Sequence, residues 1–205
     1  STHCISSAAS DVYKRQELNN IVDMFEPDMA LAIVMNPNTG EIYGMGSRPD
    51  YDPNNYQNYN QQVLSRNLPI WATYEPGSTQ KIITTSAAIE EKVVDLDNDL
   101  FYDSGSVKVD TAKIKCWKAG GHGQQTFMEV LQNSCNPGFV KMGQLLGKDR
   151  LFSYLDKFGF GAKTGVDLSG EGKGIIFPLS KVGNVELATT AFGQGISVTP
   201  IHLTV

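Results

Sequence analysis

The chain has 205 residues, of which 40% are hydrophobic and 19% charged, and it carries a formal net charge of −5. A chain of this size and composition can form an ordinary globular domain with its own core. Its negative charge and its lack of Lys or Arg runs give no electrostatic support for a nucleic-acid partner. No run of about eighteen apolar residues predicts a transmembrane helix, so a membrane anchor would have to lie upstream of this sequence.

The start of the chain, residues 1–16, has neither helical nor strand periodicity. Residues 11–16, Asp-Val-Tyr-Lys-Arg-Gln, look like a translated transposon end of the kind used in sequencing libraries, and such segments are kept out of fold reasoning. We therefore expect residues 1–16 to be a non-native or disordered tail. Residues 17–205 are expected to form a partial domain.

The rest of the chain predicts both strands and helices. Apolar residues 29–36, a Pro-Asn-Thr-Gly turn and residues 41–46 predict a β-hairpin, and the polar residues 47–67 predict an irregular loop. Two short strands are expected within residues 107–116. Helices are expected at residues 78–91, 127–132, 139–146, 151–158 and 187–192. One mixed α/β (α+β) domain is the economical interpretation. A last helix is expected to begin near Pro200, and Val205 interrupts it, so we expect the natural sequence to continue.

Ser78 and Lys81 stand three residues apart at the start of a predicted helix. Residues with this spacing share one helical face, so the Lys81 amine is expected to reach the Ser78 hydroxyl. Serine becomes a good nucleophile only beside a base, and lysine can be that base once burial or a positive field lowers its pKa. The positive end of the helix acts in the same direction. Taken alone, the spacing is also typical of a solvated helix start.

The residues around this pair favour the catalytic interpretation. Residues 74–81, Tyr-Glu-Pro-Gly-Ser-Thr-Gln-Lys, resemble the first motif of the class B penicillin-binding proteins, the peptidoglycan D,D-transpeptidases. Residues 32–54, 159–171 and 192–200 are similar to other segments of that family. The resemblance covers residues 17–205 and is closest to the branch of stage V sporulation protein D and the division transpeptidases. It implies a penicillin-binding, serine β-lactamase-like transpeptidase fold, truncated before its C-terminal core strands.

The resemblance implies roles for two more residues. The second motif of the family, Ser-x-Asn, is identified as Ser134-Cys135-Asn136. In the family, this serine hydrogen-bonds the lysine and relays a proton towards the leaving group, and the asparagine holds the substrate amide. Without that context, Ser-Cys-Asn after a helix would be a capping turn.

The third motif of the family, Lys-Thr-Gly or Lys-Ser-Gly on a core strand, is expected after Val205. Lys163-Thr164-Gly165 is rejected, because its flanking residues match a non-catalytic loop in the family. The true third-motif strand also supplies one of two oxyanion-hole N–H groups, the other being that of Ser78. Loss of such a donor typically costs ~3 kcal/mol of transition-state stabilisation. The chain as printed is therefore expected to be nearly inactive.

A zinc site is predicted beside the second motif. Cys116, His122 and Cys135 are borderline or soft ligands, and Asp103 is the nearest candidate for the fourth position of a tetrahedral site. These four residues resemble a pattern in the stage V sporulation protein D branch, where metal binding near the active site is known. The alternative is two reduced, buried thiols and a loop histidine. The metal would be structural, since the acyl-transfer chemistry needs no cofactor.

The resemblance implies that Ser78 forms an acyl-enzyme from D-Ala-D-Ala stem peptides of peptidoglycan and that an amine of a neighbouring strand accepts the acyl group. It also implies covalent binding of β-lactam antibiotics, division or sporulation proteins as partners, and a site outside the cytoplasmic membrane, held there by an N-terminal anchor. Glycan polymerisation has no support in the sequence. Two alternatives stay open: a β-lactamase or β-lactam sensor, and a non-catalytic, zinc-stabilised module of a cell-wall complex.

Overall fold

A computed structural model describes residues 2–204 of the chain, with side chains from residue 12 onward. Its strands are β1 (Ala30–Met35), β2 (Ile42–Arg48), β3 (Leu100–Asp103), β4 (Ser106–Val109), β5 (Ala112–Lys115) and β6 (Gly123–Thr126). Its helices are α1 (Thr2–Phe25), α2 (Gln61–Ser65), α3 (Leu68–Trp71), α4 (Lys81–Glu90), α5 (Phe127–Gln132), α6 (Asn136–Leu146), α7 (Lys148–Lys157) and α8 (Asn184–Thr190). Short 3-10 segments lie at Pro53–Asn58, Gly77–Gln80, Leu179–Lys181 and Pro200–Leu203.

The described residues form two compact units. The first unit contains the chain up to Thr73, Lys163–Lys173 and the described residues from Thr199 onward. The second contains Tyr74–Ala162 and Gly174–Val198. The strands pair antiparallel as β1–β2 in the first unit and as β3–β6 and β4–β5 in the second.

The first unit is built on the predicted β-hairpin, against which α1 packs. The strands β1 and β2 pair from Ala30 opposite Arg48, with an irregularity between Val34 and Met35. From α1, Leu18 is fully buried and the Lys14 amine donates a hydrogen bond to the Met45 carbonyl.

Two sequence-based expectations for this unit differ from the structure. The backbone of residues 2–16 is helical, not disordered, although the side chains of residues 1–11 lie outside the described part. Periodicity could not indicate this helix, because its described contacts with the hairpin include Lys14, a polar residue, and not only an apolar stripe. Residues 47–67 also contain two short helical segments, which the side chains of Asp52 and Asn60 cap. The non-native origin of residues 1–16 stays a prediction.

The second unit is organised around helix α6, which packs against α4, α7 and α8. Its core residues Phe139, Val140 and Met142 are fully buried. At Gly143 the α6 backbone comes so close to α8 that an added Cβ would lie 2.6 Å from the Ala191 Cβ. Any larger residue at position 143 would therefore force the helix and the segment after α8 apart.

The predicted helix at residues 78–91 begins later than expected. Gly77–Gln80 form a 3-10 turn, and α4 starts only at Lys81. Gly77 donates its N–H to the Gly193 carbonyl at 2.9 Å, and a Cβ on Gly193 would collide with the Gly77 carbonyl. This close backbone contact with the segment after α8 stabilises the 3-10 turn. Of the apolar residues predicted to be buried in this helix, Ile82 and Ile89 are instead exposed, because the second unit covers only one face of α4.

Helix α5 ends in a left-handed turn at Ser134. Its start is fixed by a capping box between Thr126 and Glu129. At its end, Ser134 donates its N–H to the Leu131 carbonyl and Cys135 donates to the Val130 carbonyl, both at 3.0 Å. These two bonds define a Schellman motif, in which Ser134 has a φ of 49° at the position where glycine is usual. A residue with a Cβ pays about 1 kcal/mol or more for this conformation.

No helix in the described range, residues 2–204, combines the length and apolar character that crossing a bilayer requires.

The left-handed turn predicts an unusual order of stability. We expect Ser134→Gly to be more stable than Ser134→Ala by about 1 kcal/mol, because only alanine places a Cβ in the left-handed region. Urea unfolding measures this difference. The matched pair is Ser86→Gly and Ser86→Ala inside helix α4, where the order should reverse, with glycine less stable by about 1 kcal/mol. An alanine variant at position 134 as stable as the glycine variant would contradict the prediction.

Candidate active site

The structure brings Ser78, Lys81, Ser134 and Asn136 together in the second unit. The Lys81 Nζ atom lies 2.8 Å from the Ser134 Oγ, 2.8 Å from the Ser134 carbonyl oxygen and 2.6 Å from the Asn136 Oδ1. The Ser134 Oγ lies 3.0 Å from the Ser78 Oγ. A continuous hydrogen-bonded chain therefore joins the amine of Lys81 to the hydroxyl of Ser78.

This chain corrects one detail of the sequence-based expectation. The spacing predicted that Lys81 would reach Ser78 across one turn of an α-helix, but the hydrogen-bonded connection runs through Ser134. The 3-10 turn at Gly77–Gln80 keeps residues 78 and 81 on one face, since side chains three residues apart eclipse there. The Ser134 hydroxyl, from the turn between α5 and α6, lies within hydrogen-bond distance of both side chains and connects them.

Lys81 is a buried cation with a lowered pKa. Only 2% of the residue is exposed, and burial lowers the pKa of its amine to about 8, with Coulombic interactions with Cys135 and Cys116 opposing this only in part. Its Nζ also lies 5.1 Å from the centre of the Phe139 ring. Phe139 lies three residues after Asn136, on the same face of α6, and this spacing is the signal by which the sequence could have identified it. Near neutral pH, Lys81 can therefore exist in both protonation states.

Ser134 and Asn136 face Lys81 because of the turn between α5 and α6. The left-handed conformation of Ser134 directs both its carbonyl and its hydroxyl at the amine. Asn136 is the first residue of α6, and Pro137 follows it in the first turn, where proline is favoured. The sequence could predict that these residues meet Lys81 only through the family resemblance, since 53 positions separate Lys81 from Ser134.

Lys163-Thr164-Gly165 lies in the first unit, outside the unit that holds these four residues. It adopts no strand, and the Glu171 carboxylate accepts hydrogen bonds from the Thr164 N–H and hydroxyl and from the Gly165 N–H. Burial raises the pKa of Glu171, but these hydrogen bonds outweigh burial and lower it overall. Thr164 and Gly165 are thus occupied in closing a loop. The third motif after Val205 stays a prediction.

The four predicted metal ligands also meet in the second unit. One ligand atom from each of Asp103, Cys116, His122 and Cys135 lies within 4.8 Å of the others. The His122 Nδ1 lies 3.0 Å from the Asp103 Oδ2 and 3.4 Å from the Cys116 Sγ, and the Cys135 Sγ lies 3.3 Å from the Asp103 Oδ2. Asp103 ends β3 and His122 precedes β6, and the pairing of these strands sets the two residues side by side.

The arrangement fits a tetrahedral metal ion. Bonds of about 2.0 Å to nitrogen or oxygen and 2.3 Å to sulfur place the ligand atoms of tetrahedral zinc about 3.3 to 3.8 Å apart. Of the three distances above, 3.3 and 3.4 Å lie within this range, and the 3.0 Å between the His122 Nδ1 and the Asp103 Oδ2 is slightly shorter. Asp103 and the His122 ring are almost fully buried, so solvent would hardly compete for them. Two sulfurs, one imidazole and one carboxylate are a donor set that zinc accepts.

The protonation of this cluster follows from its burial. Burial raises the pKa of the Cys116 thiol, and it raises that of Cys135 to about 12. Burial also acts to raise the pKa of Asp103, but hydrogen bonds from Cys116, Gly105 and His122 outweigh it and hold the pKa below its usual range. Without a cation, the cluster therefore contains one carboxylate and two protonated thiols, which a divalent ion would deprotonate.

Known proteins are similar to this chain over most of its length. The family model described as the penicillin binding protein transpeptidase domain matches residues 30–204. Stage V sporulation protein D of Bacillus subtilis is 59% identical over 198 residues, covering 97% of this chain and 30% of that protein. The peptidoglycan D,D-transpeptidase FtsI of Escherichia coli is 31% identical over 188 residues, covering 92% of this chain and 31% of that protein. The chain thus spans less than a third of the length of these relatives.

Solved structures share the fold. A crystal structure of a peptidoglycan glycosyltransferase from Burkholderia ambifaria matches with a TM-score of 0.83 at 25% identity, covering 96% of this chain and 57% of that chain. The apo structure of the TP domain of Burkholderia pseudomallei penicillin-binding protein 3 matches with the same TM-score and identity, covering 96% of this chain and 54% of that chain. The predicted fold class is confirmed. From its sequence, its fold and the match over residues 30–204, the chain belongs to the penicillin-binding protein transpeptidase domain family.

Proposed function

We propose that this chain carries the acyl-serine site of a peptidoglycan D,D-transpeptidase, with Ser78 as nucleophile and Lys81 as its base. The observation that carries this proposal is the hydrogen-bonded chain from the Lys81 Nζ through the Ser134 Oγ to the Ser78 Oγ. Such a chain provides what a serine nucleophile needs, a base within reach of its proton. The relatives named as transpeptidases support the choice of reaction.

The proton path depends on the charge of Lys81. A charged amine donates to Ser134, whereas a neutral amine can accept a proton from it, and both hydroxyls can rotate to follow this change. In the neutral state, Ser78 donates to the Ser134 Oγ and Ser134 donates to the Lys81 Nζ. As the Ser78 Oγ bonds to the carbonyl carbon of the penultimate D-Ala, its proton passes along this path to Lys81.

Acylation is completed by the reverse transfer. The C–N bond to the terminal D-Ala breaks, and the proton held on Lys81 returns through Ser134 to the leaving amine. An amine from a neighbouring peptidoglycan strand then attacks the acyl-Ser78 carbonyl and gives its proton through Ser134 to Lys81. The bond between the carbonyl carbon and the Ser78 Oγ breaks, and the proton returns through Ser134 to the Ser78 Oγ. Asn136, fixed by its bond to Lys81, presents its side-chain amide to the substrate backbone. A β-lactam enters the same path, but its leaving amine stays tethered, so the acyl-enzyme persists.

The biological setting belongs to the same proposal. Stem peptides of peptidoglycan are the substrate, β-lactam antibiotics are covalent inhibitors, and division or sporulation proteins are partners. The site would work on the outer face of the cytoplasmic membrane, where peptidoglycan is located. The 59% identity to a sporulation protein favours the sporulation role over the division role.

We also propose that Asp103, Cys116, His122 and Cys135 hold a structural Zn2+. The support is the donor set and the separation of the ligand atoms, which lie within 4.8 Å of one another. A bound zinc ion would crosslink β3, the segments flanking β5 and β6, and the Ser134–Asn136 turn, and would leave the proton path itself unchanged. Cys135 lies directly between Ser134 and Asn136, so the ion would restrain the backbone that presents both residues to Lys81.

Covalent labelling with a fluorescent penicillin tests the acyl-serine site. In a full-length protein that carries this chain, we expect stable labelling that Ser78→Ala abolishes and Ser86→Ala leaves unchanged. Ser86 is the matched control, since it lies on α4 and its hydroxyl only bonds the Ile82 carbonyl. Rapid loss of the label as hydrolysed drug would indicate a β-lactamase. A folded protein without any label would indicate a non-catalytic module and would sink the proposal.

The lowered pKa of Lys81 predicts the pH dependence of acylation. Only the neutral amine accepts a proton, so the rate of penicillin acylation should rise with pH and level off above a pKa of about 8. At pH 7 the rate should be roughly tenfold below the plateau. Stopped-flow measurement from pH 6 to 10 provides the profile. Lys81→Arg should show little acylation at any pH, and a wild-type rate that stayed flat across this range would exclude Lys81 as the base.

Removal of the metal should destabilise the folded protein. We expect about one zinc per chain by elemental analysis and a melting temperature that a strong chelator lowers by several degrees. Asp103→Asn and Cys116→Ser should lose both the zinc and the chelator effect, whereas Asp97→Asn, an exposed residue outside the cluster, should keep both. Metal-free wild-type protein with unchanged melting temperature would contradict the zinc proposal.

A further inference from the structure

Asn133, the residue before Ser134, is held from two sides. The indole Nε1–H of Trp117 donates a hydrogen bond of 2.8 Å to the Asn133 carbonyl. The Asn133 side-chain amide donates one of 3.1 Å to the Gln125 Oε1. The Asn133 N–H completes the last turn of α5 by bonding the Glu129 carbonyl at 2.8 Å. The backbone and the side chain of this residue are thus both anchored outside the active-site hydrogen bonds.

The anchored carbonyl belongs to the peptide group that joins Asn133 to Ser134. That peptide group is planar, so fixing its oxygen also fixes the direction of the Ser134 N–H. Ser134 adopts a left-handed φ of 49°, which residues with a Cβ avoid unless the surrounding structure imposes it. If the peptide rotated, the Ser134 Oγ would leave its place between the Lys81 Nζ and the Ser78 Oγ.

The side chains of Trp117 and Gln125, which hold Asn133, differ in their exposure to solvent. Trp117 is 68% exposed, so burial of its ring explains little of why a tryptophan stands there, and its hydrogen bond and its edge contact with His122 at 5.3 Å account for its orientation. Gln125 is only 3% exposed and lies on β6 opposite Phe101, so its backbone position is set by the sheet. The Oε1 of this buried amide accepts the hydrogen bond from Asn133, whereas its Nε2 is buried without a hydrogen-bond partner among the described residues, so the bond to Asn133 is what satisfies the side chain in part.

We propose that Trp117 and Gln125 are positioning residues of the acylation reaction, which hold Asn133 and thereby keep Ser134 in the conformation that links Lys81 to Ser78. This inference rests on the proposed function, since it assigns a role within the same reaction. Both residues act at one remove from the reacting atoms. Trp117 directly follows the predicted zinc ligand Cys116, but its own side chain bonds the Asn133 carbonyl and is not among the predicted ligands.

The test is the acylation kinetics of two variants in the full-length protein. Trp117→Phe removes the N–H and keeps an aromatic ring beside His122. Gln125→Met removes the acceptor at similar volume. We expect the acylation rate constant of penicillin to fall roughly tenfold or more in each variant, with the dissociation constant of the non-covalent complex nearly unchanged, since misplacing a reacting group slows the chemical step. The control is Trp71→Phe, the other tryptophan of the chain, which should keep the wild-type rate.

A double-mutant cycle separates positioning from general destabilisation. Because Gln125 acts through the Asn133 side chain, Gln125→Met should slow acylation no further in an Asn133→Ala background. If Gln125 had a merely structural role, the rate losses of the two single variants would instead add in the double variant. Wild-type rate constants in both variants would overturn the proposal, as would loss of cooperative unfolding in both. If the wild-type protein took no penicillin label at Ser78, the proposed transpeptidase function itself would be contradicted. A labelled wild type with unaffected variants would remove only the positioning role.

Discussion

A single buried amine organises this site. Lys81 is almost fully inside the protein, and a buried ammonium is tolerated only where acceptors surround it. Three acceptors come from one short segment, the carbonyl and hydroxyl of Ser134 and the amide oxygen of Asn136. The start of α4 and the turn between α5 and α6 are thereby fastened together. The same burial that demands these partners also brings the pKa of Lys81 to about 8, so one interaction provides both the geometry and the reactivity.

The turn at residues 134–136 serves two polar clusters at once. Ser134 and Asn136 bond Lys81, whereas Cys135 between them bonds the Asp103 carboxylate. Neighbouring side chains on such a turn point in different directions, so three consecutive residues can join the proposed acyl-serine site to the proposed zinc-ligand cluster. This arrangement requires Ser134 to adopt a strained, left-handed backbone conformation. That conformation is held by the Schellman bonds, Trp117 and Gln125. Strain of this kind persists only where the surroundings impose it.

Sequence reasoning succeeded where the signal is local. The β1–β2 hairpin, the β4–β5 strand pair and helix α5 could be predicted because turn residues and apolar periodicity lie within a few positions of each other. It failed for β3 and β6, which are four residues long and pair across about twenty residues of intervening chain. It also missed the helix at residues 2–16 and placed Ser78 within an α-helix, since tertiary contacts decide both.

By itself, the sequence determined the family and the chemical character of the site, because the motifs around Ser78 and Ser134 and the Asp-Cys-His-Cys set are patterns of residue type and spacing. Only the tertiary structure decided how these groups are connected. It placed Ser134 between Lys81 and Ser78, and it occupied Thr164 and Gly165 with Glu171. It also disclosed Asn133, Trp117 and Gln125. The physical reason is that hydrogen-bond partners and backbone strain depend on distances between segments far apart in the chain, which no local pattern encodes.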